Sequence, residues 1–170
     1  TPVSAVGTGG RQVRTDAQFG HIYDHFGIVY EYDNGAKGYH FSRQQANTDT
    51  SYLVESTGTK GRAMVDCSRR HHEITGATNW KYTGKSTDMY QVEHNELFAS
   101  IRNGKPMNDG EWMCNSTLIA IMGRMAAYTG KKITWEQALN STERLGPDKY
   151  TWDTPVPVAE VARPGFTAFS

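Results

Sequence analysis

The stretch HIYDHFGIVYEYDNGAKGYHFSRQ, residues 21–44, decides how this chain folds. On both sides of Asp33-Asn34-Gly35-Ala36, apolar and aromatic residues alternate with polar ones, the period of two that marks half-buried strands. Asn34-Gly35 is a dipeptide that tolerates positive φ at both central positions of a type I′ turn, so a tight hairpin is expected with Asp33 facing Ala36. That register sets Tyr30 opposite Tyr39, Ile28 opposite Phe41 and Phe26 opposite Arg43 on one face, expected to be the apolar, helix-covered one. The other face lines up His21, Tyr23, His25, Val29, His40, Ser42 and Gln44, with His25 opposite Gln44. It is polar and aromatic, unlike a core. Asp24 and Arg43 become diagonal neighbours on the covered face and are expected to pair, because an unpartnered charge there is costly.

Working outward, further strands are expected at Val3 to Val13, Tyr52 to Ser56, Ala63 to Cys67 and Asn79 to Tyr82, with Gly58 to Gly61 (GTKG) as a tight turn. The second half reads helical. Asp88 and Gln91 stand in capping-box spacing, and a helix from Asp88 to Asn103 is expected to stop at Gly104, burying a stripe of Tyr90, His94, Leu97, Phe98 and Ile101. A second helix, about Glu111 to Tyr128, is apolar around most of its circumference and should be covered on more than one side. Thr134 with Gln137 opens a short third helix, and residues 146–170, with four of the six prolines, read as an ordered but irregular tail. Strands followed by helices predict an α+β fold. One large, open, mostly antiparallel sheet is expected, with helices on one face and the other face available for oligomerisation.

A chain of 170 residues is of single-domain size and can bury its own core. Lys+Arg and Asp+Glu balance at 18 each, which argues against nucleic acid or an anionic membrane as partner. No apolar run approaches the roughly 20 residues of a membrane helix. Cys67 and Cys114 match no zinc spacing and read as free thiols, leaving the compartment open between cytoplasm and periplasm. GTGGRQ near the start lacks the third glycine of a dinucleotide loop, and a strand follows it instead of a helix, so no cofactor-binding residue is assigned. The adjacent His71 and His72 point to opposite faces of any strand, and no metal-ligand spacing occurs, so no metal residue is assigned. His94, in the helical stripe, reads as a hydrogen-bonded structural histidine.

What remains is a ring-rich polar face. Planar side chains beside hydrogen-bonding groups suit a polyol or sugar, although such a face can equally pair with its copy in another subunit. The row that suits such a ligand is His21, Tyr23 and His25 with Gln44. Chemistry alone supports an α+β binding or assembly domain.

Several blocks together resemble one family: GGRQVR (9–14), GHIYDHFGIVYEYDNG (20–35), SRQ (42–44), GTKG (58–61), YQVEHNELFASIRNGKPMN (90–108) and STLIAIMGRMAAYTGKKITWEQALNS (116–141). They look like the C-terminal domain of Gfo/Idh/MocA oxidoreductases, in the bacterial branch assigned as dehydrogenases by similarity. The resemblance implies that residues 1–170 are one such domain, without the N-terminal Rossmann domain that binds NAD or NADP. It further implies a sugar or polyol oxidoreductase as parent, homo-oligomerisation through the open sheet face, and a chain inactive by itself; the candidate substrate-binding residues are then Arg11, Gln12, Tyr23, His25, Arg43 and Gln44, at the polar end of the sheet near the missing domain. The family's EKP-type lysine and DxxxH-type histidine motifs do not occur here, so no catalytic residue is carried over. Two other expectations stand beside this one: a domain of an NAD-dependent glycoside hydrolase, or a non-catalytic binding or scaffold module.

Overall fold

The computed structural model describes residues 1–85 and 87–170. In chain order its elements are β1 (Ser4–Gly10), a 3₁₀ turn (Ala17–Phe19), β2 (His25–Glu31), β3 (Lys37–Arg43), β4 (Leu53–Gly58), β5 (Gly61–Asp66), β6 (His71–Gly76), β7 (Trp80–Lys81), α1 (Met89–Arg102), α2 (Gly110–Thr129), β8 (Ile133–Thr134) and α3 (Trp135–Leu139). The α+β class and the open antiparallel arrangement are as the sequence implied. The strands are divided between two four-stranded sheets, ordered β3-β2-β1-β8 and β4-β5-β6-β7. They belong to two compact units: Thr1–Ala46 with Asp109–Ser170, and Asn47–Asn108.

In the first unit the hairpin is real, but its register differs from the expected one by one residue. Tyr30 faces Gly38, Ile28 faces His40, Phe26 faces Ser42 and His25 faces Arg43. The turn explains the slip. Tyr32 and Ala36 close it through Tyr32 N–H to Ala36 O at 3.0 Å, leaving a three-residue loop of Asp33, Asn34 and Gly35. Only Gly35 has positive φ (+82°), and the Asn34 side chain accepts the Ala36 N–H at 3.0 Å. This is the loop in which a type I turn is completed by a left-handed glycine, not the two-residue type I′ form. Because side chains alternate, the slip sends all of β3 to the opposite face. Tyr39 and Phe41, expected inside, are 65% and 80% exposed, while His40 and Ser42 share the face of Ile28.

That inner face packs against the C-terminal half of α2. Ala5, Ile28 and Tyr30 join Met122, Met125, Ala126, Ala127, Ile133 and Ala138 in one buried cluster. The fit is set at Gly123, where a Cβ would run into the Tyr30 hydroxyl; that hydroxyl donates to Ile119 O at 3.0 Å. Towards its N-terminus α2 is open, with Trp112 and Met113 exposed, so the expected all-round cover holds only over its last two turns. Gly130, at φ +69°, ends the helix, and Thr134 and Gln137 form the expected capping box of α3. The irregular tail is tied down by Gly165 N–H to Thr129 O (2.8 Å) and by Phe169, which packs on the core.

The second unit is a meander. Gly58 and Gly61 pair across the expected turn between β4 and β5. Strand β6 was not anticipated, since HHEITG offers one aliphatic residue to show a period of two. Gly76 meets Gly61 across β5 and β6 at φ +129°, where a Cβ would lie 2.5 Å from the Gly61 Cα. One sheet face carries the Arg62–Glu55 and His71–Glu73 pairs. The other carries Val54, Val65, Ile74 and Trp80. Asp88 caps α1 as expected, accepting from Tyr90 N–H (2.9 Å) and Gln91 N–H (3.3 Å). The stripe expected to be buried is instead exposed, and none of the described α1 residues is buried.

Candidate functional site

Five of the six residues singled out from sequence, Arg11, Gln12, His25, Arg43 and Gln44, belong to the loop and strand ends around a seventh, Asp24. Its side chain is wholly buried, although it sits at the entry to β2 beside a polar loop. Oδ2 accepts three successive backbone N–H groups, from Gln12 (2.8 Å), Val13 (2.6 Å) and Arg14 (3.0 Å). Oδ1 accepts from the Gln45 amide at 3.2 Å and contacts His25 Nδ1 at 2.8 Å. Three consecutive amides aimed at one oxygen form an anion nest, here filled by the chain's own carboxylate. Burial by itself makes the Asp24 carboxyl harder to ionise; the bonds from Val13, Arg14, His25 and Gln12 outweigh it and hold the carboxyl well below the usual range.

Around this node each predicted residue has a definite place. Arg11 reaches the carbonyls of Gly20 and Asp16, holding the loop closed on its far side. Gln12 contributes its backbone, and Gln44 donates its N–H to Asp24 O at 2.8 Å while accepting from Arg14 Nε at 3.0 Å. His25 and Arg43 are direct cross-strand partners on the outer face. Tyr23 is turned inward, away from the other five. Its hydroxyl donates to Ala162 O at 2.8 Å, and its ring lies 4.5 Å from that of Tyr128. Burial, then the neighbouring Tyr128, pushes the Tyr23 hydroxyl above its ordinary value, which keeps it a neutral donor.

Asp24 as the centre of the site was not legible in the sequence, where it was assigned to an ion pair with Arg43. The loop it clamps is 10 to 12 residues away, and no pattern in GGRQVR marks those amides as convergent. A second feature is also new: a groove of about 360 Å³ between α2 and the inner sheet face, lined by Phe26, Ile28, Tyr30, His40, Ser116, Ile119, Ala120 and Arg124. It exists because the register turns His40 inward. Tyr30, buried and beside Tyr32, has its hydroxyl pushed up to about 12. Arg124 at the rim pairs with Glu143 and lies over the Tyr128 ring. His94 Nδ1 meets Tyr90 O at 2.7 Å within the helix. Among the described residues no three His, Cys, Asp or Glu side chains cluster as metal ligands, and no helix is long and apolar enough to cross a membrane.

No family model and no curated protein matches the sequence. Solved structures do match the fold. An oxidoreductase from Thermotoga maritima superposes with a TM-score of 0.58 at 16% identity, over 79% of this chain and 41% of its own. An aldose-aldose oxidoreductase from Caulobacter crescentus, complexed with glycerol, gives 0.60 at 15% over 78% of this chain and 41% of its own. An Agrobacterium radiobacter oxidoreductase in complex with NAD+, L-tartaric acid and magnesium gives 0.55 at 13%, over 79% and 44%. These are oxidoreductases of the Gfo/Idh/MocA type, and this chain has the fold of part of them. It spans less than half the length of each.

Proposed function

We propose that the chain is the C-terminal, substrate-binding and oligomerising domain of an NAD(P)-dependent oxidoreductase that acts on a sugar or polyol, and that by itself it does not turn over. The observation that carries this is the partial match: most of this chain superposes on less than half of proteins whose remaining length is available for a cofactor domain. NAD+ bound to one neighbour supports a nicotinamide cofactor in the whole protein. L-tartaric acid bound to that same neighbour and glycerol bound to another support a small polyhydroxy substrate. In this domain the substrate wall is the Asp24 node, with Arg11, Gln12, His25, Arg43 and Gln44 around it and Tyr23 bracing it from behind. The chain's own contribution is positional: a buried carboxylate fixes the loop, and the loop fixes the side chains.

The test uses the complete reading frame. Reduction of NAD+ or NADP+ is measured against a panel of aldoses and polyols, for the parent and for alanine variants at Arg11, Gln12, His25, Arg43 and Gln44. Substrate-dependent reduction with KM raised about tenfold or more in these variants is expected; KM and kcat unchanged throughout would remove the site. Release of free sugar without net cofactor reduction would point instead to an NAD-dependent glycoside hydrolase.

A further inference from the structure

The Asp24 node does more than close a loop. Its Oδ2 already takes all three loop amides, whereas Oδ1 is directed to His25 Nδ1 at 2.8 Å. A carboxylate only accepts, so the neutral imidazole must carry its proton on Nδ1, which leaves the lone pair on Nε2. His25 is about one third exposed where Asp24 is fully covered, so one end of the ring is anchored inside and the other reaches outward. The neighbour of the outer end is Gly10, the cross-strand partner of His25 in β1. Gly10 has no positive φ, so no backbone conformation calls for glycine there. Space does: a Cβ at position 10 would sit 3.2 Å from Nε2 and 3.0 Å from Cε1. The missing side chain keeps the lone-pair edge of the imidazole uncovered.

We infer that His25 is a tautomer-locked hydrogen-bond acceptor for a hydroxyl of a bound neutral polyol, with Asp24 as its positioning residue and Gly10 as the gap through which the hydroxyl approaches. The proposal deepens the substrate-wall reading and rests on it. Arg43, opposite on β3, is the charged group next to His25 on the same face. An acceptor beside a cationic donor is the pairing that a hydroxyl-bearing carbon chain can use with two adjacent oxygens.

The experiment is long-range nitrogen–proton NMR of the ¹⁵N-labelled 170-residue chain, at a pH where His25 is neutral, with glycerol and glucose as probes. The wild type is expected to show a protonated-type shift at Nδ1 and an unprotonated one at Nε2, with Nε2 moving on addition of either probe. Asp24→Asn turns an amide N–H₂ towards the ring and should transfer the proton to Nε2. Gly10→Ala leaves Asp24 intact and should keep the tautomer while losing the probe-induced shift at Nε2; it remains informative if Asp24→Asn fails to fold. An Nε2-protonated wild-type ring, or an Nε2 response undiminished in Gly10→Ala, overturns the inference. Probe shifts confined to Arg11, Gln12, Arg43 and Gln44 overturn the role of His25 and leave the substrate wall standing. Shifts at none of these residues overturn both.

Discussion

Asp24 shows how a single buried charge is made stable and what it stabilises. A carboxylate removed from water is costly unless its oxygens are saturated, and here one oxygen takes three amides while the other takes two side chains. Asp24→Asn keeps the shape but removes the charge from the nest, and should cost about 3 kcal/mol, in the range for breaking buried charge-assisted bonds. Because the native carboxyl ionises well below the unfolded value near 4, its contribution is fully present above about pH 4 and is lost as pH falls further. Urea midpoints should therefore separate wild type from variant widely at pH 7, and the two should converge toward pH 2. A gap independent of pH would show that packing, not charge, holds the loop. Gly123 poses the complementary problem of space. A Cβ there meets the Tyr30 hydroxyl, so Gly123→Ala should destabilise by about 2 kcal/mol. Adding Tyr30→Phe, which removes the atom in the way, should recover part of that loss in the same denaturation assay; no recovery would place the clash elsewhere.

At the scale of elements, the hairpin of β2 and β3 decides which side chains the domain offers to solvent. Gly35 alone bears the left-handed conformation, so Gly35→Ala should cost about 1–2 kcal/mol and Gly35→Asn less, since asparagine tolerates that region. Asn34→Ala forfeits one side-chain bond to the Ala36 amide and should cost about 0.5–1 kcal/mol. Equal penalties at both positions, read from thermal or urea unfolding, would instead indicate the two-residue turn. The same hairpin marks the limit of what sequence discloses. Alternation in residues 25–31 and 37–43 identifies both strands, and Asn34-Gly35 locates the bend. Two loops differing by one residue are compatible with that bend, however, and the choice inverts every side chain of β3. The Asp88 cap, the Thr134–Gln137 capping box and the GTKG turn were legible because their chemistry is local. Strand β6 was hidden by its polar composition, and the Asp24 nest by the distance in sequence between carboxylate and amides. The apolar stripe of α1 was read correctly as a stripe; its burial does not follow from periodicity, because a period says which residues share a face and not what meets it.

For the molecule as a whole, the slipped register changes the chemistry of the open sheet face. Of the expected row, His25 and Val29 stay on this face, joined by Val6, Tyr39 and Phe41, with Lys37, Arg43 and Glu31 at the margins. Val6 is 42% exposed, Tyr39 65% and Phe41 80%, so an aromatic and aliphatic centre lies within a charged rim. That is the composition of a specific protein interface, with aromatic anchors at the middle and charges at the edge. We expect the occupant to be a second copy of the chain, since a sheet face with an apolar centre and a charged rim can meet itself about a two-fold axis. Light scattering at micromolar concentration should then report more than a monomer. Phe41→Glu places a charge at the most exposed aromatic position of the face and should return the chain to a monomer. Because Phe41 lies on the side of the sheet away from the buried cluster, unfolding free energy per monomer should change by no more than about 0.5 kcal/mol. A wild-type chain that stays monomeric would assign this face to some other role, and an assembly unaffected by Phe41→Glu would move the subunit contact to another surface, the exposed stripe of α1 first.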